Sequence, residues 1–337
     1  MIVIASDKFK GTLSSLRAGA AIREGLSGLS GHEIRVVAMA DGGEGTACAL
    51  GAETTEDGFY HYFGIDGTPT AYIPSCGEGL PWQPAVCTRG IPLRQRSSVE
   101  VGRAIRRAVG SGRYRHIDIG IGGTQTADGG LGMLEGMGYV IKRDNDGLPT
   151  AVKAPEGLAG LYRDKLRGLA DVSAPLYSAD SLSAMSFIAQ KGAGRKDTEW
   201  CTALFKRLKQ LFPGPDLHGG AGGGIGFALE SIAGCPVTFG ASVILEKTLA
   251  GLCPELIITG EGRTDSQTMG GKAVAAVYDY ADRHGIPAVT FCGSKTDAVE
   301  LDNVFACVPD GAPLPLNPYR SLLETAEAAL PLIKKLL

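Results

Sequence analysis

Short unbroken apolar runs alternate with segments of helical spacing at both ends of this chain. MIVIAS reads as a buried strand that stops at Asp7. SSLRAGAAIREGLSGL follows, with Leu16, Ala20, Ile22 and Leu26 on roughly one side of a helix. EIRVVAM reads as a second strand ending in ADGGEG, and TACALGA starts another helix. The C-terminal part repeats the habit. PELIITGEGRTD is a strand then a loop, GGKAVAAVYDYADRHG a helix stopped by glycine, IPAVTFCG and NVFACV further strands, and YRSLLETAEAALPLIKKLL a closing amphipathic helix. Strands and helices that alternate with short connections predict a parallel sheet.

The middle has another texture. FYHYFGIDGTPTAYIP reads as a hairpin, with turn residues between aromatic and β-branched runs. A Pro/Cys-rich loop and a helix near 99–110 come next, then a strand in HIDIGIGG, a loop-rich stretch over 142–157, and helices near 181–190 and 198–212. HGGAGGGIGFAL reads as a glycine-rich loop running into a helix. The pattern predicts an α/β protein. Both chain ends, 1–52 and 235–337, build a doubly wound parallel-sheet domain, and 53–234 forms an inserted mixed α/β domain.

Composition narrows the function. Hydrophobic residues are 44% and charged residues 20%, with a formal net charge of −3, which suits an ordinary soluble protein. No basic stretch is dense enough to predict nucleic-acid binding, and no apolar run reaches the ~20 residues of a membrane span. Eight cysteines without a CxxC read as reduced core thiols of a cytoplasmic protein, and five dispersed histidines form no zinc pattern. Trp82 and Trp200 read as core. The 49 glycines are the anomaly, since average usage is roughly 7%.

The glycines cluster where strands end, which is where open parallel sheets bind ligands. Four loops sit there, each with an acid: Ser6–Gly11, Asp41–Gly45, Gly120–Gly130 and Gly260–Asp265. Five of the eleven residues in GIGGTQTADGG are glycine, which demands close approach by another chain segment or by a ligand. HGGAGGGIGFAL offers the same choice between anion binding and tight packing. Asp41, Glu44, Asp128 and Asp171 suit turn and cap chemistry as well as a site. Lys10, Lys191, Arg263 and Lys272 beside glycine loops suit a polyanion. No GxxxxGK[ST], GxGxxG after a strand, or GxSxG occurs, which argues against P-loop NTPases, simple dinucleotide enzymes and α/β-hydrolases. Carboxylates, cations and glycine loops without thiol or histidine clusters fit phosphoryl transfer, which asks mainly for positioning and charge neutralisation.

These stretches resemble the type I bacterial glycerate kinases. IVIASDKFKGTLSS is similar to that family's IVIAPDSFKGSLS opening, and MADGGEGT is its second hallmark. IGIGGTQTADGGLGML, ADVSAPLYS with IAQKGA, GGAGGGIGFAL and LIITGEGRTDSQTMGGKA match further motifs in order, from residue 2 to about 293. The resemblance implies ATP and Mg²⁺ as cofactors and D-glycerate as acceptor, with 2-phosphoglycerate favoured over 3-phosphoglycerate. It also implies a flavodoxin-like domain, a second domain and a cleft between them holding the site. The motif positions give Asp171, Asp128, Lys10 and Arg263 as catalytic, the proton acceptor being Asp171 or Asp128. They give Asp7, Gly42, Gly43, Glu44, Gly122, Gly123, Thr124, Lys191, Gly220, Gly222, Gly223, Glu261 and Lys272 as nucleotide-binding, and Asp41 and Asp265 as metal ligands. The chain departs from the family pattern at Ala127, at Ala174-Pro175, in IPSCGEGL, and at RQRSSVEVG, where Arg96 and Glu100 intrude. These departures leave another small hydroxy acid as acceptor, or a non-catalytic nucleotide or anion sensor, as alternatives. A homodimer is left open; nucleic acid and membrane partners are not expected.

Overall fold

The computed structural model describes the 337-residue chain apart from residues 56–57, 77–90, 266–267, 269, 271 and 297–300, so Trp82 and Cys87 lie outside the described residues. In chain order the N-terminal elements are β1 (Ile2–Ser6), α1 (Ser15–Gly25), β2 (Ile34–Val36), α2 (Thr46–Leu50), β3 (Glu53–Thr54), β4 (Tyr60–Phe63) and β5 (Pro69–Pro74). Next come α3 (Val99–Gly110), β6 (His116–Gly120), α4 (Leu131–Met137), β7 (Val140–Arg143), β8 (Pro149–Lys153), α5 (Ala159–Lys165) and β9 (Leu166–Ala170). The remainder is α6 (Ala184–Ile188), α7 (Arg195–Leu211), α8 (Ile225–Phe227), β10 (Val237–Phe239), α9 (Gly240–Leu249), β11 (Leu256–Thr264), α10 (Ala273–His284), β12 (Ala288–Lys295), β13 (Val304–Ala306) and α11 (Pro318–Leu336). Two compact units result. One comprises Met1–Asp41, Cys48–Leu50 and Ala241–Leu337; the other comprises Gly42–Ala47 and Gly51–Gly240.

The first unit is a five-stranded, all-parallel sheet in the order β13-β12-β11-β1-β2. Counted within the unit that is the flavodoxin-like order, with its reversal between β1 and β11. β1 is buried along its whole length, which is why IVIA reads as an unbroken apolar run. Ile2, Ile4, Ile258 and Phe291 pack with α1 and α11, through Ala18, Ile22, Leu322 and Ala326. The buried face of α1 is Ala18, Ala21, Ile22 and Gly25, whereas Leu16 is exposed. The predicted stripe is half right: Ile22 and Leu26 are buried, while Leu16 is exposed and Ala20 half-buried, because small residues complete this face and Gly25 lies against the backbone and Ala326 of α11, where a larger side chain does not fit. A second difference is β11. It does not end at Gly260 but runs on to Thr264, because β12 pairs with it as far as Lys295.

The second unit is a six-stranded mixed sheet in the order β10-β9-β6-β5-β4-β3. β5, β6, β9 and β10 are parallel, while the β4–β5 hairpin and β3 are antiparallel. Fully buried Asp118 on β6 pins three strands: it takes both Arg167 nitrogens at 2.9 Å and the Tyr62 hydroxyl. The stretch expected as loop over 142–157 is instead the β7–β8 hairpin. Its turn is closed by Asp144, whose Oδ1 accepts from Asp146 and Leu148 N–H, with Gly147 at φ 79°. The cysteines divide: Cys201, Cys235 and Cys292 are buried, but Cys48 and Cys253 are exposed and so are not core thiols. Among the described residues no helix is long and apolar enough to cross a membrane.

α3 and α4 approach backbone to backbone. A Cβ on Gly102 would overlap the Met133 carbonyl, and one on Gly136 would overlap the Val99 carbonyl and lie 2.7 Å from Arg103 N. Gly136→Ala is therefore expected to cost about 1–3 kcal/mol of stability. Gly110→Ala, at the end of α3 with nothing near its Cβ, is expected to be neutral or stabilising by a few tenths. Urea denaturation of the two variants checks the contrast.

Candidate active site

Reversal of strand order places the carboxyl ends of β1 and β11 at the point where such sheets bind ligands. Asp7 is the first residue after β1, and its N–H donates to Gly260 O at 2.8 Å, beside Glu261 on β11. Burial pushes the Asp7 carboxyl up to about 7; the Asp41 carboxylate adds to the rise, and the Lys8 ammonium and N–H oppose it. Lys8 Nζ stands 3.5 Å from Asp41 Oδ1 and 4.0 Å from Asp7 Oδ1. Glu261 is buried, which raises its pKa; the Thr268 hydroxyl, donating to it at 2.7 Å, and the Lys272 charge work the other way. Asp265 is held by its N–H on Thr268 Oγ1 at 2.9 Å and adds negative charge near Glu261. Arg263 does not join this group: it is exposed and paired with Asp310 at 3.2 Å. Lys10 lies exposed in the tight turn between Phe9 and Leu13, beside Gly11 at φ 79°. Among the described residues, no three or more His, Cys, Asp or Glu side chains are grouped to hold a metal.

A second group lies within the other unit. Asp171 is the first residue after β9, and a Cβ on Gly122 would lie 3.2 Å from its carboxyl carbon and 3.0 Å from Gly43 N. Gly42, at φ 98°, sits over the Leu169 carbonyl and accepts the Gly122 N–H at 3.3 Å. Glycine at 42, 43 and 122 thus lets a carboxylate and two loops meet without side chains between them. Gly123 differs: it is exposed, at φ 73°, with open space where a side chain would point. Thr124 is buried and bonded to Ser75 and to Ile121 O. Glu44 is exposed.

Lys191 joins this group from the turn after α6. Its Nζ donates to Thr126 O at 2.7 Å. Burial pushes the ammonium down to about 8, against the upward pull of Asp171 and then Asp128. Arg96 fixes the same corner by donating to Gln125 O at 3.1 Å and Lys191 O at 3.0 Å. The sequence marks Arg96 only as a departure from a pattern; here it is a strut. Lys8, too, escapes sequence reasoning, which weighs Lys10 in the same SDKFKG stretch. Its adjacency to Asp7 is the one available signal.

The glycine loops mostly serve each other. Gly222, Gly223 and Gly224 have φ of 61°, 65° and 101°, and they pack on the backbone of Ile121, Thr126 and Gly129. Gly129 N–H donates to Gly223 O at 3.1 Å, and Gly220 N–H is committed to Ala174 O at 2.7 Å. The helix expected after them is only α8, followed by a wide π-turn over Ala228–Ala233. Asp128 sits inside this packing. Its carboxylate accepts from Ser98 N at 2.8 Å, Ser98 Oγ at 2.9 Å, Gly130 N at 3.1 Å and Gly132 N at 3.2 Å. Burial raises its pKa while those donors lower it. A carboxylate so fully engaged holds the starts of α3 and α4 together; it is badly placed to accept a proton. Asp128→Ala is expected to lower stability by on the order of 3 kcal/mol. Thermal unfolding checks this, and a fully stable variant would return Asp128 to the catalytic candidates.

The sequence over residues 2–315 matches the glycerate kinase family. A glycerate kinase from Bacillus subtilis (strain 168) is 31% identical, covering 93% of this chain and 91% of the relative. A glycerate 2-kinase from Escherichia coli (strain K12) is 30% identical, covering 88% and 86%. The crystal structure of a proposed glycerate kinase 2 from Salmonella typhimurium LT2 superposes with a TM-score of 0.69 at 26% identity, covering 99% of this chain and 98% of that one. With its fold, its motifs and its relatives in agreement, the chain belongs to the glycerate kinase family and is an ATP-dependent kinase.

Proposed function

We propose that the protein transfers the γ-phosphoryl group of Mg-ATP to a hydroxyl of D-glycerate and releases 2-phosphoglycerate. The Escherichia coli relative is named a 2-kinase, which favours O2 over O3. The reading rests above all on Asp171, a carboxylate at the end of a parallel strand, set against Gly122 with the Lys191 ammonium in its field. Asp171 takes the proton of the attacking hydroxyl. Lys191 offsets the charge of the transferring group. Gly123 leaves room for a ligand to approach the backbone, and Asp128 and Arg96 keep the loop in place.

Asp7 and Asp41 would hold Mg²⁺. The ion typically binds through one or two carboxylates together with phosphate oxygens and water. Two carboxylates within 4.0 Å of one ammonium nitrogen, one of them buried and pushed up toward 7, form a donor set short of positive charge, which fits. When bound, the ion neutralises phosphate charge. Glu261, Asp265 and Lys272 form the adjoining polar group, on the nucleotide side of the reading.

ADP release from Mg-ATP, measured with and without D-glycerate and with phosphorus NMR of the product, tests the proposal. Glycerate-dependent turnover with the phosphate on O2 is expected. A product phosphorylated on O3 would move the acceptor atom, and ATP binding without turnover on glycerate would sink the reading. Asp171→Asn is expected to lower kcat by roughly 10²–10⁴-fold while the protein stays folded. Lys191 supplies a pH signature. The ammonium of the free enzyme is charged below about 8, so kcat/KM for ATP should fall as pH rises through that value. Lys191→Arg, whose side chain stays charged, should abolish the fall.

A further inference from the structure

Lys8 is paired with both Asp7 and Asp41, and the proposed phosphoryl transfer gives it no role. We propose that Lys8 is a resident counter-ion of the Asp7–Asp41 pair, which a divalent cation must displace before the two carboxylates can hold it. The inference rests on the metal reading given above.

Three observations carry it. Asp7 is 9% exposed, and a carboxylate taken that far out of water needs a counter-charge. Lys8 provides it twice over, with its backbone N–H on Asp7 Oδ1 at 2.7 Å and its ammonium reaching both carboxylates. The side chain is 27% exposed, so its flexible stem has solvent to swing into when a stronger cation arrives. An ammonium and a divalent ion cannot share this pair: like charges a few ångströms apart in partly buried surroundings repel strongly. The exchange sets a threshold. A lone divalent ion must overcome Lys8, whereas an ion delivered on a polyphosphate arrives with extra ligands and offers the released ammonium an anion to meet.

The test is binding, read without turnover. Mn²⁺ affinity of the nucleotide-free full chain is measured by electron paramagnetic resonance for the wild type, Lys8→Gln, Lys8→Arg, Asp7→Asn and Lys8→Gln/Asp7→Asn. Lys8→Gln is expected to bind Mn²⁺ on the order of tenfold more tightly than the wild type. Lys8→Arg should stay at the wild-type affinity, and the double variant should lose the gain. Equal binding by wild type and Lys8→Gln, lost in Asp7→Asn, overturns the role of Lys8 and leaves the metal reading standing. No Asp7-dependent binding in any variant overturns both. A measurement on the unaltered protein covers the case in which Lys8→Gln folds poorly. Saturating Mg²⁺ with a non-hydrolysable ATP analogue should change acylation of the Lys8 amine, followed by mass spectrometry. Unchanged labelling overturns the displacement.

Discussion

A single buried carboxylate organises the second unit. Asp128 gathers the backbone of Ser98, Gly130 and Gly132 and the Ser98 hydroxyl, and so joins the first turns of two helices to the loop that follows β6. Its position depends in turn on glycine, because Gly129 and Gly130 lie directly on the Gly223–Gly224 backbone and on Ala228. Everything chemically interesting nearby hangs from that knot. Lys191 is tethered to the carbonyl of Thr126, two residues away from Asp128, and Arg96 binds the adjoining carbonyl. The proposed site in this unit thus separates two roles: a structural acid orders the backbone, and a different acid, Asp171, stands beside that ordered backbone.

The first unit reaches a similar end by other means. Its acids stand at the reversal of a parallel sheet, where chain geometry alone opens a crevice. Burial raises the protonation equilibria of Asp7 and Glu261 together, and the surrounding cations, Lys8 and Lys272, partly restore them. Such a cluster gains from added positive charge, which supports the metal reading proposed above.

Much of this was legible in the chain. Continuous apolar runs announced buried parallel strands, and polar-glycine loops marked Asp7 and Asp41 as candidates, because both signals arise locally; Asp171, at the end of a short apolar run, became a candidate through the family motif. What depended on partners was not legible. β11 extends through GEGRT only because β12 runs alongside it. The stripe of α1 was only half read, with Ile22 and Leu26 buried but Leu16 exposed, because Gly25 meets α11, nearly three hundred residues away, and closeness as well as hydrophobicity decides that face. The β7–β8 hairpin hid behind polar composition, although the Asp144 turn was written in DNDG. The glycine loops read equally well as phosphate cradles or as packing surfaces, and only the facing backbone separates the two. Lys8 and Lys10 likewise look alike in sequence; the fold turns one toward the acids and leaves the other on a turn.

The pairing of β1 with β11 also bears on how the chain comes to be folded. Ile2–Ser6 is fully buried, yet its register partners are Leu256–Gly260, and Ala5 O waits for the Thr259 hydroxyl. During synthesis this buried strand emerges some two hundred and fifty residues before its central neighbour, β11. At roughly 5–20 residues per second that interval lasts on the order of ten seconds or more. Most of the second unit is one continuous stretch and is complete before β11 appears. The N-terminal strand, paired early only with β2, and α1, whose partner α11 follows later still, therefore spend most of the chain's synthesis without these neighbours, and nascent-chain protection is needed there.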